Sequence, residues 1–462
     1  MSELGATDRV VVVGASLAGL RAAEELRRKG FEGPLTLIDS EDAEPYDRPP
    51  LSKQVLLGMA PADRTRLPRV QDLGEVEWIR GVAATGLDRT RPVVELADGR
   101  AIPYDRILIA TGVRNRPWPV ASEAALGGVV SVRTRADAAE LASLLAVRPE
   151  RVLVIGGGFT GSEIASVCRQ LDLAVTLVER GPAPLVGALG GVTGSIATEI
   201  QLEHGVDLRC GITVDALEGD DQGRVRQATL SDGTRLDIDV AVVALGAVRN
   251  TEWLRESRLA AGPMGIATDA GCRAIDIDGL VVDDVFAAGD VTRFPHPLYG
   301  YEFLALEHWG NAVTQARVAA HNMVSPTLAR VPHIAVPVFW SMQFGLNIKS
   351  VGVPNYGEEI QFTQGSVTDR TFVAAYGHQG RLVAAVTFDN AKWIDFYRRE
   401  IETAAPFPPD LHALDGPATS APISADFPHP WLPYDPPPVV LTGHAFDEMR
   451  AKVIRPEGAR QT

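Results

Sequence analysis

Residues 151–179 read RVLVIGGGFTGSEIASVCRQLDLAVTLVE. An apolar run over 152–155 leads into glycines at Gly156, Gly158 and Gly161. A helix-like segment follows to about Leu171, and a second apolar run over 175–178 ends in Glu179. The order is strand, G-x-G-x-x-G turn, helix, strand, acid, and each part has a physical task. The first glycine permits the tight turn. The second lets a pyrophosphate approach the backbone, and the third lets the helix lie close on the strand. The pyrophosphate then rests on free N–H groups at the positive end of the helix. Glu179 stands 179 − 156 = 23 residues past the first glycine, where an acid accepts from the ribose hydroxyls of NAD and repels the 2′-phosphate of NADP. Arg180, which follows it, is a candidate to receive that phosphate. The pattern therefore predicts a dinucleotide site with NADH preferred.

Residues 9–41, RVVVVGASLAGLRAAEELRRKGFEGPLTLIDSE, repeat the design. Gly14 and Gly19 take the first and third glycine positions, with Ala15 inside the turn. Ser16 takes the second, so a side chain needs room beside the pyrophosphate. The strand over 35–38 ends at Asp39, with Glu41 just beyond, and either acid suits a ribose. The similarity continues downstream. Residues 93–112 read as a hairpin around Asp98-Gly99 and then a buried strand, and residues 228–246 repeat this around Asp232-Gly233. Two nucleotide-binding modules of one design in one chain imply two cofactors exchanging electrons.

Between and after the modules lie further candidates. Tyr46-Asp47-Arg48-Pro49-Pro50-Leu51-Ser52-Lys53 contains a double proline that fixes a rigid turn and presents Arg48 and Lys53 on it. Asp290 closes a short strand where an acid can accept from a polyol such as the ribityl chain of a flavin. Glu307, His308 and Trp309 open an amphipathic helix running to about Asn322. If its positive end faces the pyrimidine edge of a flavin, it stabilises negative charge there.

The chain has 462 residues and a net charge of −15. That charge argues against nucleic acid or an anionic membrane as main partner. No apolar run approaches the roughly 18 residues of a membrane span, and the N-terminus lacks the basic and apolar regions of a signal peptide. Cys168, Cys210 and Cys272 are scattered, with no C-x-x-C, which leaves a disulfide framework, a zinc site and a redox-active disulfide unsupported. They read as small buried apolar residues, in keeping with a reducing cytoplasm. From about Val331 the pattern changes to short alternating strands closed by a helix over about 391–402. Eleven prolines then fall between Pro406 and Pro438. This tail is too proline-rich for helix or central strand. Trp431, Leu432 and Tyr434 suggest that it is pinned to a surface, and residues 443–452 read as a short helix.

GASLAG, YDRPPLSK, ATG, VIGGGFTGSEIA, ALGAVRN, VFAAGDV, EHW-x-N-A and FWS occur in this order. The chain thereby resembles the FAD-dependent, NADH-dependent ferredoxin reductases that serve haem monooxygenases and Rieske dioxygenases. The resemblance covers about residues 8–402. It implies an α/β fold with two Rossmann-like dinucleotide-binding domains and a C-terminal α+β domain. FAD would occupy a split domain (1–115 and 247–330), NAD(H) the domain at 116–246, and the third domain would span 331–405, followed by the tail at 406–462. It implies that Gly14, Ala15, Gly19, Asp39 or Glu41, Arg48 and Lys53 hold FAD, with Val82 and Arg133 as further contacts. Asp290 would take the ribityl chain, with Glu307, His308 and Trp309 bringing the helix start to the flavin. Gly156, Gly158, Gly161 and Glu179 would hold NADH, with Glu163 reaching toward the nicotinamide. Lys53 and Glu163 would pair near flavin N5, the carboxylate keeping the buried cation from being stranded. Hydride would pass from nicotinamide C4 to flavin N5, and electrons singly to a 2Fe-2S ferredoxin.

Two positions depart from the family pattern. Met342 stands where an acid is usual and Phe344 where Tyr is common. A ferredoxin is usually acidic, so docking needs a local basic patch. Arg64, Arg66 and Arg69 form one candidate, though a solvated basic loop is the simpler account. Two other functions compete: a flavoprotein reducing a small acceptor directly, in the manner of monodehydroascorbate reductase or an NADH oxidase, and an NADH-sensing, complex-forming flavoprotein.

Overall fold

In the computed structural model, residues 4, 5, 7–410, 422–424, 439–442 and 450–453 are described. Both glycine-turn units form as expected. The first runs Val10–Val13, Leu17–Arg28, Leu35–Asp39, and the second Val152–Ile155, Phe159–Gln170, Val175–Glu179. The starting strands are fully buried on both faces, which is why they read as unbroken apolar runs rather than alternating ones.

The first sheet has six strands in the order Arg273–Ile275, Val281–Ala287, Arg106–Ile109, Val10–Val13, Leu35–Asp39, Glu77–Arg80. Val10 pairs in parallel with both Leu35 and Arg106. The second sheet has five strands, Asp207–Cys210, Val175–Glu179, Val152–Ile155, Val240–Val243 and Val129–Val130, and Val152 pairs with both Val175 and Val240. The repeat in the sequence is thus a repeat in register. The first sheet takes strands from both sides of the second, and an antiparallel ribbon, Val113–Asn115 with Ala247–Arg249, carries the chain between them.

The third layer is an antiparallel sheet in the order Val338–Gln343, Leu346–Gly352, Arg381–Phe388, Thr371–His378, Glu359–Ser366, Pro422–Ser424. The helix Ile394–Glu402 buries Ile394, Tyr397 and Ile401 with Val373, Ala375 and Ala385 of that sheet, each large apolar side chain contributing roughly 1.5–3 kcal/mol. Pro422–Ser424 lies at the sheet edge, where proline costs no ladder bond. The helix expected over 443–452 is corrected in part. Arg450–Val453 is a strand paired antiparallel with Val439–Thr442, a β-branched partner far enough away to be invisible to a local reading. The rest of that segment lies outside the described residues, as do Trp431, Leu432 and Tyr434. Among the described residues, no helix is long and apolar enough to cross a membrane.

Candidate active site

Both turns are shaped by glycine geometry. Gly14 and Gly156 have φ +96° and +108°, and a Cβ on either would fall 2.2 or 2.3 Å from the carbonyl oxygen of Ala110 or Ala244. A Cβ on Gly19 or Gly161 would fall 1.9 Å from the oxygen of Gly14 or Gly156. These glycines are required by close backbone approach. Gly158 differs, because a Cβ there meets nothing within 4 Å. It faces open space at the start of its helix, as a pyrophosphate cradle requires. Ser16 at the matching place in the first unit lines a cleft, so its side chain has the room it needs.

The acids sit alike in the two units. Asp39 accepts from the N–H of Ala15 at 2.7 Å and of Glu41 at 2.9 Å. Glu179 accepts from Gly157 and Gly181, both at 2.6 Å. Burial pushes the Asp39 carboxyl up despite those amides. Glu41 is also desolvated, but Arg48 at 2.7 Å outweighs this and holds it below the usual carboxylate range. Tyr46 donates to Glu41 at 2.6 Å, and burial pushes its phenol up to about 12. Arg48 also donates to the Arg133 carbonyl at 2.6 Å. Val82 stands behind Asp39, with its N–H on the Asp39 carbonyl at 3.2 Å.

One cleft of about 290 Å³ collects most of the remaining candidates. Ser16 and Leu17 enter it from the first unit, Phe159, Thr160 and Glu163 from the second, and Phe339 and Trp340 from the C-terminal sheet. Arg48, Lys53, Arg133, Asp290, Glu307, His308 and Trp309 line it as well. Lys53 Nζ lies 2.6 Å from Glu163 Oε2, and both side chains are largely buried. Arg133 reaches Asp290 at 3.5 Å, and burial lowers its pKa. Desolvation pushes the Glu307 carboxyl up, with Asp290 adding to the effect. Trp309 Nε1 donates to Asp47 Oδ1 at 2.9 Å, and its ring meets Trp340 edge-on at 5.9 Å.

Sequence reasoning missed four residues of this site. Ser52 and Ser341 donate to Glu163 at 2.5 and 2.6 Å, Gln343 orients Ser341, and Asp47 holds Trp309. For Ser341 and Gln343 the available signal was polar residues at alternate positions of an otherwise apolar strand. Met342 is exposed, and Phe344 is buried with its N–H on Ser166 Oγ at 2.6 Å. Of the basic candidates, Arg66 is paired with Glu44, and Arg69 lies over Trp78.

Comparison with known proteins places this geometry. Residues 8–316 match the family described as pyridine nucleotide-disulphide oxidoreductase, and residues 338–420 match the reductase C-terminal family. Putidaredoxin reductase of Pseudomonas putida is 32% identical over 422 residues, covering 88% of this chain and 95% of that protein. The ferredoxin–NAD(+) reductase component of the anthranilate 1,2-dioxygenase system of Burkholderia cepacia is 34% identical over 402 residues, covering 86% and 95%. The covalent complex of putidaredoxin reductase with putidaredoxin superposes with a TM-score of 0.80 at 30% identity, covering 87% of this chain and 94% of that one.

The chain belongs to the pyridine nucleotide-disulphide oxidoreductase family, within its ferredoxin reductases. It is an oxidoreductase that uses FAD and NADH, and the relatives it matches are ferredoxin reductases. The reductase's residues fit these cofactors. Gly158 leaves open the space that a side chain would fill. His308 Nδ1 and Arg133 Nε are buried in or beside the cleft without a partner among the described residues, and such atoms call for a polar ligand.

Proposed function

We propose that this reductase takes hydride from NADH onto FAD at the Lys53–Glu163 pair and feeds a 2Fe-2S ferredoxin that serves a haem monooxygenase or a Rieske dioxygenase. One observation carries the reading. The starts of both glycine-turn helices open on a single cleft, and the Lys53–Glu163 ion pair joins its two walls. When bound, FAD supplies the conversion of a two-electron hydride into single electrons.

The chain's own residues do the rest. Gly14, Ala15, Gly19 and Asp39 shape the FAD cradle within residues 1–115 and 247–330, and Val82 backs Asp39. Glu41 and Arg48 fix each other beside that cradle. Arg133, Asp290, Glu307, His308 and Trp309 line the flavin side of the cleft. Gly156, Gly158, Gly161 and Glu179 shape the NADH cradle within residues 116–246. Glu163 keeps the Lys53 ammonium from being stranded in the cleft wall. The domain at 331–405 closes the cleft with Phe339 and Trp340 of its strand Val338–Gln343. We place the protein in the cytoplasm, in keeping with three free cysteines and a negative net charge.

The test is anaerobic stopped-flow mixing of the yellow holoenzyme with NADH, then NADPH, followed by addition of a 2Fe-2S ferredoxin. Rapid flavin bleaching by NADH and ferredoxin-dependent reoxidation are expected. Bleaching without transfer to any of several ferredoxins would overturn the acceptor assignment in favour of a small acceptor or a sensor.

A further inference from the structure

The strand Val338–Gln343 alternates strictly. Phe339, Ser341 and Gln343 are buried, while Trp340 and Met342 are exposed by 43% and 52%. Successive side chains on a strand face opposite ways, so the inner face of this strand is the one with chemistry to explain. It packs on the helix Phe159–Gln170. Ser341 Oγ donates to Glu163 Oε1 at 2.6 Å, and about one turn further along the helix Ser166 Oγ accepts the Phe344 N–H, also at 2.6 Å. Gln343 Nε2 donates to Ser341 Oγ at 3.0 Å. A hydroxyl has one proton, and with Gln343 as donor to its oxygen that proton is directed at Glu163.

The other carboxylate oxygen, Oε2, takes Lys53 Nζ at 2.6 Å and Ser52 Oγ at 2.5 Å. Glu163 is 6% exposed and Ser341 1%. Three parts of the chain therefore converge on one buried carboxylate: the double-proline turn, the second-unit helix and the C-terminal sheet. Oε1 has no donor but Ser341 among the described residues. Without that bond a buried acceptor goes unpaired and the carboxylate is free to rotate about the Lys53 contact.

We propose that Ser341, directed by Gln343, is a positioning residue that fixes the plane of the Glu163 carboxylate and thereby the Lys53 ammonium in the cleft. The inference rests on the reading of this cleft as the site of hydride transfer. It assigns the C-terminal sheet a part in the reductive half-reaction that neither nucleotide-binding unit supplies.

The experiment uses the FAD-loaded full chain as Ser341→Ala, Ser341→Thr and Gln343→Leu, with Lys53→Met and Glu163→Gln as controls. The limiting rate of flavin reduction, the half-saturating NADH concentration and the visible circular dichroism of the oxidised flavin are measured. Ser341→Ala should lower the limiting rate about 10-fold, as expected for one lost charge-assisted hydrogen bond. Half-saturation should stay within about two-fold, and the dichroism should change before any NADH is added. Ser341→Thr, which keeps the hydroxyl, should restore both. Gln343→Leu should move both in the same direction as Ser341→Ala. A parental rate and dichroism in Ser341→Ala would overturn the proposal, as would a loss that Thr does not rescue. Should Ser341→Ala fail to retain flavin, a parental rate in Gln343→Leu overturns it. Parental rates in Lys53→Met and Glu163→Gln would instead sink the reading of the cleft itself.

Discussion

The Glu179 carboxylate accepts the Gly157 N–H through Oε2 at 2.6 Å, while Oε1 accepts the Gly181 N–H at the same distance. The acid proposed to face the ribose is therefore also the clamp of the glycine turn. Asp39 repeats the arrangement with Ala15 and Glu41. Glu179→Ala should then act twice. Losing two hydrogen bonds to a carboxylate loosens the turn and raises the KM for NADH about 10-fold or more. Losing the negative charge relaxes rejection of NADPH. Steady-state kinetics with both nucleotides test this, and an unchanged NADH-to-NADPH ratio of kcat/KM would exclude the assignment.

The Lys53–Glu163 pair joins residues 110 positions apart, with side chains 16% and 8% exposed. Removing one partner of a buried pair leaves an uncompensated charge at a cost of about 3–5 kcal/mol. Lys53→Met should therefore lower both the urea midpoint and the rate of flavin reduction. The double variant with Glu163→Gln should regain most of the stability and none of the rate. Recovery of the rate in the double variant would show that the pair serves folding alone.

The turn glycines divide into two kinds, and substitution separates them. Gly19→Ala forces a Cβ to 1.9 Å from the Gly14 oxygen. Backbone cannot yield as a side chain would, so destabilisation of about 3 kcal/mol or more and loss of FAD are expected. Gly158→Ala meets nothing within 4 Å, so the chain should fold with its melting temperature nearly unchanged. The new methyl should instead weaken NADH binding by occupying the cradle. Thermal melts of the flavin-free proteins and NADH titration of the holoenzymes provide the comparison.

How much of this was legible in the sequence follows from range. The two units were plain because strand, turn, helix and acid all lie within about thirty residues and obey local rules. The repeat carried even the pairing partners, Arg106 and Val240. The Lys53–Glu163 pair was reached through the family resemblance, since no periodicity links residues 110 apart. Ser341 and Gln343 were missed because a polar residue inside a strand reads as neutral until its partner is known, and Ser52, at the end of the turn Pro49–Ser52, because its partner lies 111 positions away. The strand Glu359–Ser366 was missed as well. A bulge between Phe362 and Gln364 breaks its alternation, and Gly365 sits near its end at φ +76°. The end of the helix expected over 443–452 failed for the opposite reason, since at Arg450–Val453 a locally helical composition yielded to pairing with Val439–Thr442.

Acid should destabilise the protein through two buried histidines, His296 and His333. His333 is 1% and His296 0% exposed. The His333 ring bonds the Asn311 side chain through Nε2 at 3.0 Å, and its Nδ1 is buried without a partner among the described residues. Burial depresses the pKa of His333 from 6.5 to about 3, with His296 close by adding to it, and burial lowers His296 as well. Both are thus neutral in the folded protein at pH values where the unfolded chain already binds their protons. The unfolded state gains protons first, so stability is complete above about pH 6.5 and falls as pH drops toward the folded-state values. Each unit of separation corresponds to about 1.4 kcal/mol, and pH 4.5 lies about two units below the unfolded value, which makes a loss of about 3 kcal/mol from His333 between pH 7.5 and 4.5 the expected result. Urea midpoints across that range measure it. His333→Gln retains a side-chain donor for Asn311 and cannot titrate, so its profile should be shallower than the parent's. An identical slope in the variant would assign the acid sensitivity to the carboxylates instead.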